Sequence, residues 1–300
     1  MEMRIVEPGS VPRFDFHQFI VGSIAPRPIA FVSTVDSEGN PNLAPYSFFN
    51  AFSSNPPILV FSSNRRIVDN TTKDTLSNVM ETKEVVINAV NYRIVHQMAV
   101  ASVQFPKGVD EFKKSGLTPI PSDLVKPFRV KESPIQIECK VKDIITLGTE
   151  GGAGHLVICE VLRMHIAEEI IDERGRIDPH KADLMGRLGR SYYVRASGDA
   201  IYTIPQAVEK LVIGFDNLPE GIRNSEVFTG NNLGQLAGIQ AVPQKEEVLA
   251  LKHGDDAKIA EALSAAKPKE ALHRYAKELL DTDPTKRDYA ASVAWLAEYL

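Results

Sequence analysis

Cysteine, tryptophan and long apolar runs are scarce in this chain of 300 residues, and each scarcity closes off a class of function. Its two cysteines, Cys139 and Cys159, sit in strand-like apolar stretches without C-x-x-C spacing. That excludes a disulfide scaffold, a zinc ribbon and a thioredoxin-type centre, and two buried, reduced thiols are expected. No stretch reaches the roughly 18 uninterrupted apolar residues of a membrane helix. The opening MEMRIVEPGSVPRFDF mixes charge with proline where a secretion signal would carry an apolar run. A cytoplasmic protein with no membrane partner is expected. Basic residues are not in excess either: 34 Lys and Arg stand against 39 Asp and Glu, a net charge of -5 with no basic cluster, so no nucleic-acid partner is expected. No G-x-S-x-G nucleophile elbow occurs, and LGTEGGAGHL, with Gly148, Gly151, Gly152 and Gly154, lacks the Lys-Ser/Thr of a P-loop and leads into a strand. It reads as a β-hairpin. His165, Asp178 and His180 lack the helical spacing of a metal-ligand cluster, and neither a metal nor a catalytic nucleophile is expected.

What remains is 43% hydrophobic and 24% charged, the balance of an ordinary globular chain. Residues 201–300 hold 11 basic and 15 acidic side chains, whereas the first 200 hold 23 and 24. The acidic excess therefore lies at the end of the chain, and so does a change of period. Up to about Arg195 the text reads as strands: PIAFVSTV, NLAPYSFFNAFS, PILVFSS, EVVINAV, IQIECKVKDIITL, HLVICEVLRMHIAEEII and SYYVRA. In one of them Ile135, Ile137, Cys139 and Val141 alternate with Gln136, Glu138, Lys140 and Lys142, the period of a sheet with one wet face. Asp36 to Asn40 is a hairpin turn in which Gly39 supplies a positive φ. Short helices are expected at 75–82, 92–100 and 110–114. Many strands, few helices and no β-α-β alternation predict a closed or partly closed antiparallel barrel, not a doubly wound parallel sheet. After Tyr202 the pattern is helical: Pro205, Pro219, Pro243, Pro268 and Pro284 each open a helix-favouring run, and Ala290 to Leu300 closes the chain in apolar residues around Trp295. Residues 201–300 are thus expected to be a helical extension packed on the barrel or on a partner subunit.

Polar residues with an affinity for anions gather in the first ninety positions. Arg27-Pro28 begins the first barrel strand, Asn42-Leu43-Ala44-Pro45-Tyr46-Ser47 follows the hairpin, Ser62-Ser63-Asn64-Arg65-Arg66 ends a strand, and Lys73-Asp74-Thr75 opens a helix. Hydroxyls and arginines at a strand end, with lysine and threonine at a helix N-terminus, offer several donors to one small dianion. Pro45 is expected to interrupt ladder pairing and free backbone groups for a flat heteroaromatic ring. Together these would suit a mononucleotide such as FMN, although a solvated loop followed by an ordinary capped helix reads equally well.

The string RPIAFVSTVDSEGNPNLAPYSFFNAFSSNPPILVFSSNRR, followed by TKDTLSNVMETKEVVINAV, resembles the flavin reductase-like family of FMN-binding split barrels, flavoredoxin type. Gly186-Arg187-Leu188-Gly189-Arg190-Ser191-Tyr192-Tyr193 resembles the family's closing segment, so the likeness covers about residues 10–200. It implies that Ser62, Ser63, Asn64, Arg65, Lys73, Asp74 and Thr75 surround the FMN phosphate and ribityl chain, joined by Arg27. It also implies that Asn42, Ala44, Pro45, Tyr46 and Ser47 line the isoalloxazine. Which of Arg65 and Arg66 meets the phosphate stays open. The resemblance further implies that residues 1–200 form a split antiparallel β-barrel of Greek-key type, and that the protein is a homodimer with NADH or NADPH as reductant, hydride passing to flavin N5. The competing expectation is a non-enzymatic FMN electron carrier that hands electrons to an acceptor protein; a split barrel adapted to haem or deazaflavin matches the motifs less well.

Overall fold

Every residue of the strand Ala30–Val35 is buried, and the alternation of its side chains sends them into two separate cores. Ala30 and Val32 meet Tyr46, Phe61, Leu76, Val79, Ile87 and both cysteines. Ile29 and Phe31, on the other face, meet Leu43, Ile94, Met98 and Phe112. Such a strand must lie mid-layer. In the computed structural model, which describes residues 1–204 and 211–300, it does. The chain divides into two compact units, Met1–Ile201 and Tyr202–Leu300.

In the first unit helix α1 (Arg13–Ser23) precedes β1 (Ala30–Val35), β2 (Pro41–Tyr46), β3 (Phe49–Ser54) and β4 (Pro57–Ser62). Then come α2 (Asp74–Thr82), β5 (Glu84–Ala89), α3 (Val95–Ala101), α4 (Glu111–Ser115) and the short strands β6 (Pro119–Ile120) and β7 (Arg129–Val130). Two long strands, β8 (Ile135–Thr146) and β9 (His155–Ile166), are followed by α5 (Pro179–Ala182), β10 (Leu184–Arg187) and β11 (Tyr193–Ala196). Seven strands form one antiparallel sheet in the order β2-β1-β5-β8-β9-β4-β3. Its two edges, β2 and β3, are separated in sequence only by Ser47 and Phe48. So short a link reaches on the order of 10 Å, and the sheet must curl until its edges nearly meet there. This is a split barrel, and Ser47-Phe48 stands at the split.

Three expectations need correction. NLAPYSFFNAFS is not one strand: the corner at Ser47-Phe48 divides it between opposite edges. Pro45 does not interrupt the ladder, since it pairs in register with Phe31. Leu43 N–H points away from β1 to donate to Glu111 Oε2 (3.1 Å), so by the two-residue period Pro45 lacks its N–H on the open side, where no ladder bond is lost. And β8 has no wet face in its first half, because Gln136 and Glu138 are buried. Gln136 Nε2 donates to Val130 O (2.8 Å), and Glu138 accepts from the N–H groups of Asp123 (3.0 Å) and Leu124 (2.6 Å). The hairpin turn and Gly39, with φ 87°, are as expected, and LGTEGGAGHL joins β8 to β9 as a hairpin. The three short helices are found. α1, in a stretch with no helical apolar stripe, was not expected.

The second unit is helical: α6 (Glu220–Arg223), α7 (Gly230–Ala237), α8 (Lys245–Ala250), α9 (Ala257–Ser264), α10 (Pro268–Thr282) and α11 (Arg287–Glu298). Pro219, Pro268 and Pro284 open helical turns, and Pro243 stands two residues ahead of α8; Pro205 lies outside the described residues. Trp295 is buried among Leu236, Leu272, Ala276 and Leu296. The extension therefore has a core of its own. Among the described residues no helix is long and apolar enough to cross a membrane.

Candidate functional site

Two neighbouring concavities open beside the split of the barrel. The larger, of about 320 Å3, is lined by Pro45 to Phe48 at the corner, Ser62 and Asn64 after β4, and Lys73 ahead of α2. Its lining also includes His17 and Gln18 of α1, together with Arg27 and the β10–β11 turn. The smaller, of about 160 Å3, shares Pro45, Tyr46 and Lys73 and adds Asn42, Ala44, Arg66, Asp74, Thr75 and Glu111. Of the thirteen residues expected to bind a cofactor, Arg27, Ser47, Ser62 and Asn64 thus line the first, Asn42, Ala44, Asp74 and Thr75 the second, and Pro45, Tyr46 and Lys73 both. Ser63 and Arg65 line neither.

Lys73 is the centre of the arrangement. It is the N-cap of α2, whose start has no side-chain cap; the N–H groups of Asp74 and Thr75 have no partner among the described residues, as the first turn of a helix leaves them. Its ammonium stands 5.0 Å from the centroid of the Tyr46 ring and pairs with no carboxylate among the described residues. Burial, and then the charge of Arg66, push its pKa below the ordinary lysine value. The larger cavity carries Arg27, Lys73, Arg187 and Arg190 and no carboxylate, whereas the smaller balances Arg66 and Lys73 against Asp74 and Glu111. The charged side chains of the larger one are thus all cationic, which favours an anion there.

Several neighbours are structural. Arg27 is buried and its guanidinium clamps main-chain carbonyls, donating to Val21 O (2.5 Å), Ile24 O (2.5 Å) and Leu188 O (3.1 Å), with Nε 3.5 Å from Ser47 Oγ. Little donor capacity is left for a ligand. Asn42 Nδ2 donates to Thr34 Oγ1 (3.1 Å) and Thr75 Oγ1 (2.8 Å), so the fully buried Thr75 hydroxyl serves a polar network under the cavity floor. Ser62 Oγ donates to Asn64 Oδ1 (2.8 Å), and Asn64 Nδ2 to Gly152 O (3.1 Å). The glycine-rich hairpin permits this approach: a Cβ at Gly154 would stand 2.7 Å from Ser62 Oγ. Arg65 is turned to Asn70, donating through Nε to its Oδ1 (2.6 Å) and through Nη2 to its carbonyl, whereas Arg66 donates to Thr71 Oγ1 (3.0 Å) and to Thr72 O. Arg66, not Arg65, shares a cavity with Lys73.

The α1 wall was missed, and the sequence signals it only through the proline-bounded RFDFHQFIVGS. The contribution of Arg187 and Arg190 could have been suspected from the closing segment, where two arginines flank Leu188-Gly189. Of the three potential metal ligands, His165 Nε2 lies 2.7 Å from Glu138 Oε1, Asp178 caps α5, and His180 is exposed within that helix. Asp123 joins His165 and Glu138, but Arg163 lies 2.7 Å from Asp123 Oδ2 and already supplies the cation. Both cysteines are free and buried, and burial pushes the Cys139 thiol up to about 12 and Cys159 well above its ordinary value.

Residues 22–180 match the family model described as flavin reductase like domain. A curated protein of Aquifex aeolicus, described only as uncharacterized, is 39% identical over 183 residues, 61% of this chain and 91% of that one. Nitrilotriacetate monooxygenase component B from Bacillus cereus superposes with TM-score 0.63 at 32% identity, over 66% of this chain and 98% of that one. The 2-nitrobenzoate 2-nitroreductase NbaA of Pseudomonas fluorescens gives TM-score 0.60 at 32% identity, over 69% and 98%. A flavoredoxin of Desulfovibrio vulgaris, 22% identical over 62% and 92% with TM-score 0.52, shares the fold. The family match ends at residue 180, ahead of the helical unit.

Proposed function

The chain belongs to the flavin reductase-like family, and on that premise we propose that it binds FMN in the Lys73 cavity and takes hydride from NADH or NADPH. The observation that carries the reading is Lys73 itself: a half-buried ammonium without a carboxylate among the described residues, shared by both cavities, with two unpartnered helix N–H groups on the side of the smaller one and no carboxylate in the lining of the larger. Burying a cation unpaired is costly, and a phosphate dianion removes that cost while accepting the free N–H groups. The donor set therefore fits the phosphate of FMN. Arg66 adds charge from the adjoining cavity. Tyr46 and Pro45 offer a surface against which a flat ring can stack, and the outward carbonyl of Pro45, opposite the side that pairs with β1, is an acceptor for a ring N–H. FMN held there would supply the redox chemistry, hydride acceptance from a dihydronicotinamide and release of electrons to an acceptor. The residues named need only bind, orient and keep water off the ring, which accords with the lack of a nucleophile-base pair in the sequence.

The test is anaerobic addition of NADH or NADPH to the FMN-loaded chain, followed at the flavin absorption band. Bleaching by one or both within seconds supports an oxidoreductase. Flavin that binds but is bleached by neither supports the electron-carrier alternative.

A further inference from the structure

Arg190 lines the same cavity, and the flavin reading gives its side chain no specific contact. It stands in the turn between β10 and β11 at φ 55°, in the left-handed region that residues other than glycine avoid. Its carbonyl accepts from Arg187 Nη2, while its own guanidinium has no hydrogen bond or ion pair among the described residues. The other two arginines of the same cavity wall are engaged. Arg27 holds the carbonyls at the end of α1, and Arg187 donates to Tyr192 O (3.0 Å) and stacks 4.6 Å from the Tyr193 ring centroid. A residue kept in a disfavoured conformation, charged, exposed and without an acidic partner on the wall of a carboxylate-free cavity is the pattern of a ligand contact.

On the flavin reading above, the FMN phosphate is met by Lys73 and the start of α2. The second molecule that must enter is the reductant, which brings phosphates of its own. We propose that Arg190, with His17 and Gln18 of α1 in the same wall, binds a phosphate of the nicotinamide dinucleotide. The inference rests on the flavin reading above and adds the place where the reductant is recognised. It makes the β10–β11 turn a determinant of dinucleotide binding, distinct from Lys73.

The variant Arg190→Gly suits the test, because glycine is the residue its backbone prefers and the fold should be kept. FMN affinity is measured by fluorescence quenching, and kcat/KM is measured for NADH, for NADPH and for dihydronicotinamide riboside, which has no phosphate. A lost charge-assisted contact should lower kcat/KM for the dinucleotides, relative to the riboside, by about tenfold or more, with FMN affinity unchanged. Arg190→Lys should recover part of the loss. An unchanged ratio overturns the assignment, and so does a fall in FMN affinity, which would give Arg190 to the flavin phosphate. Failure of the unaltered chain to bind FMN removes the premise and the inference with it, and is seen before any variant is compared.

Discussion

Lys73 Nζ lies 5.0 Å above the centroid of the Tyr46 ring, and no carboxylate among the described residues pairs with it. Tyr46 ends the edge strand β2 and Lys73 begins α2, so the contact joins the two parts of the chain to which the ring and the phosphate of a flavin are assigned.

Removing that charge should weaken FMN binding without unfolding the barrel. Lys73→Ala is expected to cost about 1.5–3 kcal/mol, tenfold or more in affinity. Thr75→Ala should behave differently. The Thr75 hydroxyl is buried and accepts from Asn42, so its loss should lower the melting temperature, through an unsatisfied buried amide, at least as clearly as it lowers affinity. Titration of both variants by flavin fluorescence, with thermal melts alongside, separates the two roles.

The thiols should be inert in the native protein. Cys139 and Cys159 lie on neighbouring strands facing the barrel core, where burial disfavours the thiolate. Alkylation at pH 8 should label neither in the folded chain and both in denaturant; labelling of the native protein would show that this core opens.

Acid should destabilise the helical unit through His273. Its ring is buried against Phe228, Nδ1 lies 2.9 Å from Ser225 Oγ and Nε2 has no partner among the described residues. Burial first, then Lys269, lowers its pKa from 6.5 to about 4. The unfolded state therefore binds a proton more readily, and the stabilising share is complete above pH 6.5 and lost as pH falls through about 4. The loss is at most about 3 kcal/mol. His273→Phe should remove this slope from a denaturant titration repeated between pH 4 and 7; an unchanged slope would place it in other groups.

Flavin binding is proposed to belong to the first unit alone. A chain ending at Ala200 is expected to be soluble, to sediment as a dimer and to bind FMN as the full chain does. A soluble, dimeric fragment that no longer binds would assign the helical unit to the site.

Much of this was legible because period and turn chemistry are local. Five of the seven strands of the large sheet, β1, β4, β5, β8 and β9, with the Gly39 turn and the three short helices, follow from alternation, glycine and caps within a few residues, whereas β2 and β3 read as a single strand. What was not legible depends on distant partners. Gln136 and Glu138 look like wet-face residues until the loop of Asp123 and Leu124 is folded over them. Pro45 looks like a ladder breaker until β2 is known to be an edge strand. Arg65 and Arg66 are indistinguishable in sequence, and only the course of the Asn70–Thr72 turn separates them. The α1 wall carries no amphipathic stripe, and it owes its place to the clamp of Arg27 on its last carbonyls.

The central claim, that a cation-lined cavity around Lys73 holds the phosphate of FMN, is tested most directly by comparing FMN with riboflavin, which differs in lacking that phosphate. Titration of each into the full chain, followed by flavin fluorescence, should show FMN binding about tenfold or more tightly, with the difference largely abolished in Lys73→Ala. Equal affinity for the two flavins, or an FMN preference that survives the loss of Lys73, would contradict it.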